Sequence, residues 1–188
     1  EVLLHYRSQP YTKGLSDLVE KFRPEVLLLG ATTLGRDLAG AAATTLMTGL
    51  TADCTSLDID TSDRSLLSTR PTFGGTLMAT IVNVATRPQM ATVRPRVFPL
   101  PERDPTRTGR IVEHPLGLAE DEVVTKVIDF IPDARSDQPQ LAFADFVVAG
   151  GRGLRRPESF EMMFDLARVL GAEVGATRAA VHASWVDP

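Results

Sequence analysis

The sequence has very little cysteine and histidine, and this scarcity limits the kinds of site it can build. Its 188 residues include one cysteine, Cys54, and three histidines that lie far apart, His5, His114 and His182. A single cysteine excludes an internal disulfide and a cysteine-based zinc cluster, and the histidines show no metal-ligand spacing. We therefore expect no metal site, and we predict that Cys54 is a small buried thiol rather than a nucleophile.

Long hydrophobic runs and an excess of positive charge are also missing. The longest apolar run, 26–29, has the length of a buried strand, whereas a membrane-spanning helix needs about 20 apolar residues. The formal net charge is −4, and nucleic-acid binders normally carry a basic surface. We therefore expect neither membrane insertion nor nucleic-acid binding.

The residue orders of common catalytic sites are absent as well. The sequence contains no Ser-His-Asp order, no evident pair of catalytic carboxylates and no His-Glu-x-x-His motif. We therefore expect a protein that is not itself an enzyme.

The first part of the chain alternates between helix and strand patterns. An amphipathic helix is predicted before Pro24, a strand without polar alternation over 25–29, and an alanine-rich helix over 36–47, while 2–4 resembles a strand. Strand, glycine loop and helix in this order form half of a βαβ unit, so the predicted fold class is α/β. The loop over 30–37 is predicted to have a structural or interface role, because no lysine or magnesium-binding pair completes a nucleotide site.

A β-rich segment and a proline-rich segment follow. Two strands, 66–70 and 77–82, flank the Phe73-Gly74-Gly75 turn, and the Arg-Pro pairs around them favour a domain or subunit interface over a phosphate site. An apolar stripe over 120–131 predicts a further helix or a strand-helix junction. The polar, proline-bracketed stretch 132–139 is the best candidate for a linker.

A second unit is predicted after this linker. It begins with a buried strand over 146–149, continues through the Gly150–Gly153 turn, and reaches a helix over 157–170 with Pro157 at its start. Phe160, Met163, Phe164 and Ala167 are predicted to form the inner face of that helix.

Two motifs in the second unit could bind a ligand. In the glycine turn, backbone amides can approach an anion, Arg152 can contact a phosphate with its guanidinium fork, and a helix N-terminus would add positive charge. In Gly175-Ala176-Thr177-Arg178, small residues leave room for a planar ligand, Thr177 offers a hydroxyl and Arg178 offers a fixed cation. The alternatives, a tight turn with a solvated arginine and a small-residue helix start, remain open for both motifs.

Taken in order, these motifs resemble the alpha subunit of electron-transfer flavoproteins, the FixB-like family. The matching stretches cover essentially the whole chain and include Thr69-Arg70-Pro71 with Phe73-Gly74-Gly75; the longest are Thr48-Gly49-Leu50-Thr51-Ala52-Asp53-Cys54-Thr55, Arg87-Pro88-Gln89-Met90-Ala91-Thr92-Val93-Arg94-Pro95, Val147-Val148-Ala149-Gly150-Gly151-Arg152-Gly153, and Leu170-Gly171-Ala172-Glu173-Val174-Gly175-Ala176-Thr177-Arg178-Ala179-Ala180-Val181.

The resemblance implies a domain organisation and a cofactor. Residues 1–135 would form a Rossmann-like or flavodoxin-like α/β domain that pairs with a beta subunit. Residues 136–188 would begin a parallel-sheet, deoxyhypusine-synthase-like domain that carries FAD, while AMP would sit in the beta subunit. Further partners would be acyl-CoA or other flavin dehydrogenases as electron donors and a quinone oxidoreductase as acceptor, in the bacterial cytoplasm or in the mitochondrial matrix.

The resemblance also assigns site residues by motif. Arg152, with Gly151 and Gly153 beside it, would contact the FAD phosphates, Thr177 would hydrogen-bond the cofactor, and Arg178 would lie against the isoalloxazine ring and favour its reduced, anionic form. His182 and Ser184 depart from the family pattern near this pocket. Further FAD motifs of the family would follow position 188 and strands would precede position 1, so the sequence resembles a truncated or partly ordered chain. The alternative is a nucleotide-binding enzyme with a sirtuin-like or deoxyhypusine-synthase-like domain.

Overall fold

A computed structural model describes residues 2–131 and 141–186 of the chain. The chain forms two units, and each is described by itself. The first unit comprises Glu1–Ile128 and the second Asp129–Pro188. The predicted linker, 132–139, lies outside the described residues, so a domain boundary at position 135 stays a prediction.

The first unit contains a parallel sheet with two helices. The elements are α1 (Ser8–Phe22), β1 (Val26–Gly30), α2 (Thr33–Thr45), β2 (Leu50–Cys54) and β6 (Gln89–Val93). β6 lies between β1 and β2 and is parallel to both. The predicted α/β class is confirmed, and the predicted helices and β1 are present with bounds shifted by a few residues. β2 and β6 were not predicted as strands.

The alanine-rich helix packs closely because it presents small side chains. Ala42 and Ala43 are buried with Met90 of β6, and the partly buried leucines Leu27 and Leu50 pack against them. Alanine both favours helix and allows a helix backbone to approach a sheet. A second hydrophobic cluster contains Leu66, Ala91 and Cys54. The Cys54 side chain is fully buried, as predicted, and burial raises the pKa of its thiol.

An antiparallel sheet completes the first unit. Its strands are β3 (Ser56–Asp60), β4 (Ser65–Thr72) and β5 (Leu77–Val82), with β4 in the centre. The predicted turn at Phe73–Gly75 joins β4 to β5 as one turn of 3₁₀-helix, and Gly74 and Gly75 adopt positive φ, which glycine tolerates best. The predicted hairpin is therefore confirmed.

A buried glutamine links the two sheets of the first unit. The side chain of Gln89, 1% exposed, accepts a 2.7 Å hydrogen bond from the Leu66 backbone N–H and donates one of 3.0 Å to the Arg64 carbonyl. Because a buried amide must satisfy both its oxygen and its nitrogen, this residue holds the start of β4 against the start of β6.

Two sequence-based predictions for the first unit are wrong. Residues 2–5 form turns and bends rather than a strand, because their backbone pairs with no described strand, and Leu4 is 75% exposed. Only 120–122 are helical within 120–131, and the apolar stripe does not form one buried face. Val123 is buried, whereas Val124 and Ile128 are 86% and 98% exposed.

The described part of the second unit contains two parallel strands, two α-helices and short 3₁₀ turns. The strands and α-helices are β7 (Val147–Gly150), α3 (Phe160–Leu170), β8 (Glu173–Ala176) and the short α4 (Arg178–Val181). β7 pairs with β8 in register from Val147 with Glu173 to Gly150 with Ala176. The predicted strand, turn and helix are present, and the deoxyhypusine-synthase-like detail stays a prediction.

Burial in the second unit differs from the prediction. Phe160 and Ala167 of α3 are buried, but Phe164 is 46% exposed, so only part of the predicted inner face packs against the strands. β7 is not buried on both faces either, because the Val147 side chain is 45% exposed. The prediction of full burial for β1 fails in the same way at Leu28, which is 47% exposed.

Candidate functional site

The two predicted motifs of the second unit lie side by side at one edge of its sheet. β7 ends at Gly150 and β8 ends at Ala176, and these two residues are paired in the parallel ladder. The Thr177 backbone N–H continues the ladder with a 2.8 Å hydrogen bond to the Gly150 carbonyl. In open α/β sheets, ligands bind beyond the carboxyl ends of the strands. The register therefore places the glycine turn and the Thr177-Arg178 segment at the kind of edge that binds ligands.

Gly151 allows the two segments to approach each other. A Cβ atom at this position would lie 2.9 Å from Thr177 Oγ1 and 3.1 Å from Thr177 Cγ2, closer than side chains normally pack. Gly153 is different, because a Cβ atom built there meets no atom of the described residues within 4 Å, its chain neighbours aside. The turn thus has one glycine required by its own chain and one that faces open space.

The polar side chains of this edge are exposed. Arg152, Thr177 and Arg178 all lie on the surface, and no carboxylate of the described residues forms an ion pair with either arginine. Arg178 Nε lies 3.4 Å from His182 Nε2, one helical turn further along. Two arginines without carboxylate partners beside a glycine-lined edge are chemically suited to an anionic ligand.

The structure corrects one part of the sequence argument. α3 does not follow the glycine turn directly, because two short 3₁₀ turns, Arg152–Leu154 and Pro157–Ser159, intervene before it begins at Phe160. The predicted helix over 157–170 therefore consists of one 3₁₀ turn followed by α3. Pro157 does occupy the first position of a helical turn, as predicted.

The loop between β1 and α2 has a structural role. Thr32 caps α2 by accepting a 3.1 Å hydrogen bond from the Gly35 N–H, and a Cβ atom on Gly35 would lie 2.0 Å from the Gly30 carbonyl oxygen. Asp37 accepts hydrogen bonds from Tyr6 and Ser8. These contacts use the loop's own polar groups for packing, in agreement with the sequence-based interpretation.

Metal sites and membrane-spanning helices are not found in the described part of the chain. Among residues 2–131 and 141–186, no group of histidine, cysteine, aspartate and glutamate side chains could hold a metal ion. Within the same residues, no helix is both long and apolar enough to cross a membrane.

Comparison with known proteins identifies the family. Residues 1–119 match the model of the electron transfer flavoprotein domain, and residues 140–188 match that of the electron transfer flavoprotein FAD-binding domain. The chain belongs to the electron transfer flavoprotein alpha-subunit family. This confirms the resemblance, and the alternative of a sirtuin-like or deoxyhypusine-synthase-like enzyme has no support.

Curated relatives agree along nearly the whole chain. Protein FixB of Azorhizobium caulinodans is 60% identical over 185 residues, which are 98% of this chain and 50% of that protein. Protein FixB of Azotobacter vinelandii is 58% identical over 188 residues, covering 100% of this chain and 52% of that protein. The electron transfer flavoprotein subunit alpha of Thermoanaerobacterium thermosaccharolyticum is 47% identical over 98% of this chain and 56% of that protein. The chain therefore spans about half the length of these relatives.

Proposed function

We propose that this chain is part of the alpha subunit of a heterodimeric electron-transfer flavoprotein that carries electrons on FAD. The observation that supports this most strongly is the match of both units, in order, to the two domain models of that family. The absence of a recognisable catalytic motif in the sequence agrees with a carrier that has no substrate chemistry of its own.

The proposal assigns the second unit to FAD. Bound FAD would supply reversible redox chemistry, and the protein's part is to hold and orient it. Arg152 would contact its phosphates beside Gly151 and Gly153, Thr177 would donate or accept a hydrogen bond, and Arg178 would supply a cation near the ring. The open space over Gly153 and the arginines without carboxylate partners fit such a ligand.

The proposal also covers partners and location. The first unit would bind the beta subunit, which would hold AMP. Acyl-CoA or other flavin dehydrogenases would supply electrons, and a quinone oxidoreductase or another acceptor would take them. Because the relatives named above are bacterial proteins, we propose a cytoplasmic location.

The test uses the full-length alpha subunit purified with its beta partner. We expect a flavin absorption band and FAD in an amount equal to the alpha subunit. Gly153→Ala should weaken FAD retention on dialysis, because the added methyl group would occupy space that the described residues leave open to a ligand. Gly40→Ala in α2 is the matched control, since its Cβ also meets nothing within 4 Å.

Two outcomes would contradict the proposal. A purified heterodimer without flavin would contradict the carrier function itself. Equal FAD retention by Gly153→Ala and Gly40→Ala would show that the glycine turn does not contact the cofactor, and the site residues would then be wrong while the carrier function stands.

A further inference from the structure

A second set of charged side chains lies in the first unit, also at the carboxyl end of a parallel sheet. Arg94 directly follows β6, and Asp53 lies near the end of β2. Arg94 holds Asp53 with both ends of its guanidinium fork, Nε to Oδ1 at 3.1 Å and Nη2 to Oδ2 at 2.6 Å. Arg36, in the first turns of α2, reaches the same carboxylate at 3.4 Å.

Arg70 of β4 is the third arginine of this set, and it differs from the other two. Its Nε atom is buried and has no hydrogen-bond partner within the described part of the chain. Arg70 nevertheless interacts electrostatically with Asp53. The pKa of the Asp53 carboxyl is lowered mainly by Arg94, and to a smaller extent by Arg36 and Arg70. Native proteins pair nearly all buried N–H donors, so an unpaired one indicates a missing acceptor.

Two of these arginines border a pocket of about 390 Å³. Arg70 and Arg94 line it together with the hairpin residues Pro71, Thr72, Phe73, Gly74 and Gly75, and none of these described lining residues is acidic. Three guanidinium groups around the one carboxylate of Asp53 leave a formal charge of +2. A phosphate group near neutral pH carries close to two negative charges and offers several acceptor oxygens.

We propose that this pocket is a binding site for a phosphate-bearing anion. Arg70 and Arg94 both line the pocket and donate to the phosphate oxygens through their guanidinium N–H groups, and Asp53 orients Arg94. The exposed ring of Phe73 at the hairpin tip is available to stack on an organic group attached to the phosphate. Arg36 strengthens the positive field without lining the pocket.

The test is calorimetric titration of the full-length heterodimer with inorganic pyrophosphate. Arg70→Gln should weaken binding at least tenfold, because it removes the charge and the guanidinium group that line the pocket without breaking an ion pair among the described residues. Arg70→Lys, which keeps the charge but loses the planar fork, should give an intermediate affinity. Arg64→Gln is the matched control, since Arg64 is an exposed arginine of the same unit that pairs with Glu25 and lies outside the pocket.

A second titration, with ADP, distinguishes the possible sources of the phosphate. For each ligand, binding to this pocket is taken as the binding that is lost in the Arg70→Gln variant. A nucleotide site in the beta subunit does not contribute to this difference. Tighter Arg70-dependent binding of ADP than of pyrophosphate indicates a nucleotide, and equal binding indicates a free phosphate anion. Either result supports the site.

The proposal is overturned if pyrophosphate binding is absent from the heterodimer, or if Arg70→Gln and Arg64→Gln weaken it equally. Absence of pyrophosphate binding would indicate instead that an acidic side chain of the beta subunit is the partner of Arg70. If Arg70→Gln fails to fold, Thr72→Glu replaces it, because this variant puts a carboxylate on the pocket wall while Arg70 stays in place. Unchanged affinity in Thr72→Glu would equally overturn the site.

Discussion

The contact between Gly151 and Thr177 allows a quantitative test of how the two segments of the candidate FAD site are held together. Gly151→Ala would place a methyl group 2.9 Å from Thr177 Oγ1 and 3.1 Å from Thr177 Cγ2. Rotation about χ1 cannot relieve both contacts, because Thr177 is β-branched and two of its three staggered positions are occupied. The Thr177 backbone cannot withdraw freely either, since its N–H is bonded to the Gly150 carbonyl.

We expect Gly151→Ala to lower the free energy of unfolding by about 1–3 kcal/mol, the usual cost of overpacking. Thr177→Ala alone removes an exposed side chain and should change it by about 0.5 kcal/mol or less. In the Thr177→Ala background both clashing atoms are gone, so Gly151→Ala should cost little. The two substitutions should therefore couple by about 1–3 kcal/mol in a double-mutant cycle.

The assay is urea unfolding of the full-length heterodimer, followed by far-ultraviolet circular dichroism. A loss of about 2 kcal/mol lowers the transition midpoint by about 1 M when the slope is about 2 kcal/mol per M. Gly40→Ala controls for the general effect of replacing glycine. If Gly151→Ala costs the same with and without the Thr177 side chain, the approach of these two residues is not what requires glycine, and the reasoning fails.

Two further predictions concern charged groups. Arg178→Ala should lower the flavin midpoint potential in a redox titration of the heterodimer, because a fixed cation stabilises the negative charge that reduction adds; an unchanged potential would make Arg178 structural. Arg7 lowers the pKa of Glu120 to about 2 by hydrogen bonding. The pair therefore stabilises the fold fully above pH 4.5, and this stabilisation is lost progressively as the pH falls towards 2. Glu120→Gln should therefore flatten the acid dependence of stability measured by urea unfolding over that range, whereas Glu161→Gln should not.

The elements predicted from sequence are those whose signals are local. The stripe ending at Phe22, the alanines of α2 and the Phe73–Gly75 turn each carry their pattern within a few residues, and the structure contains the corresponding elements. The glycine turn at 150–153 was recognised for the same reason. Val123 to Ile128 shows the limit of this reasoning, because a helical stripe of apolar residues forms no helix when little of it packs against the rest of the unit.

By itself, the sequence determined the α/β class, the hairpin, the burial of Cys54 and the family, since each depends on local composition or on motifs read in order. Only the tertiary structure decided which distant groups meet. Arg94 pairs with Asp53, 41 residues away, because β2 and β6 are neighbouring strands. Gln89 bonds to Leu66, 23 residues away, because the two sheets of the first unit meet at the starts of β4 and β6. The pocket at Arg70 also depends on tertiary structure, because Asp53 of β2, Arg70 of β4 and Arg94 after β6 come together only in the fold, and sequence spacing does not contain that arrangement.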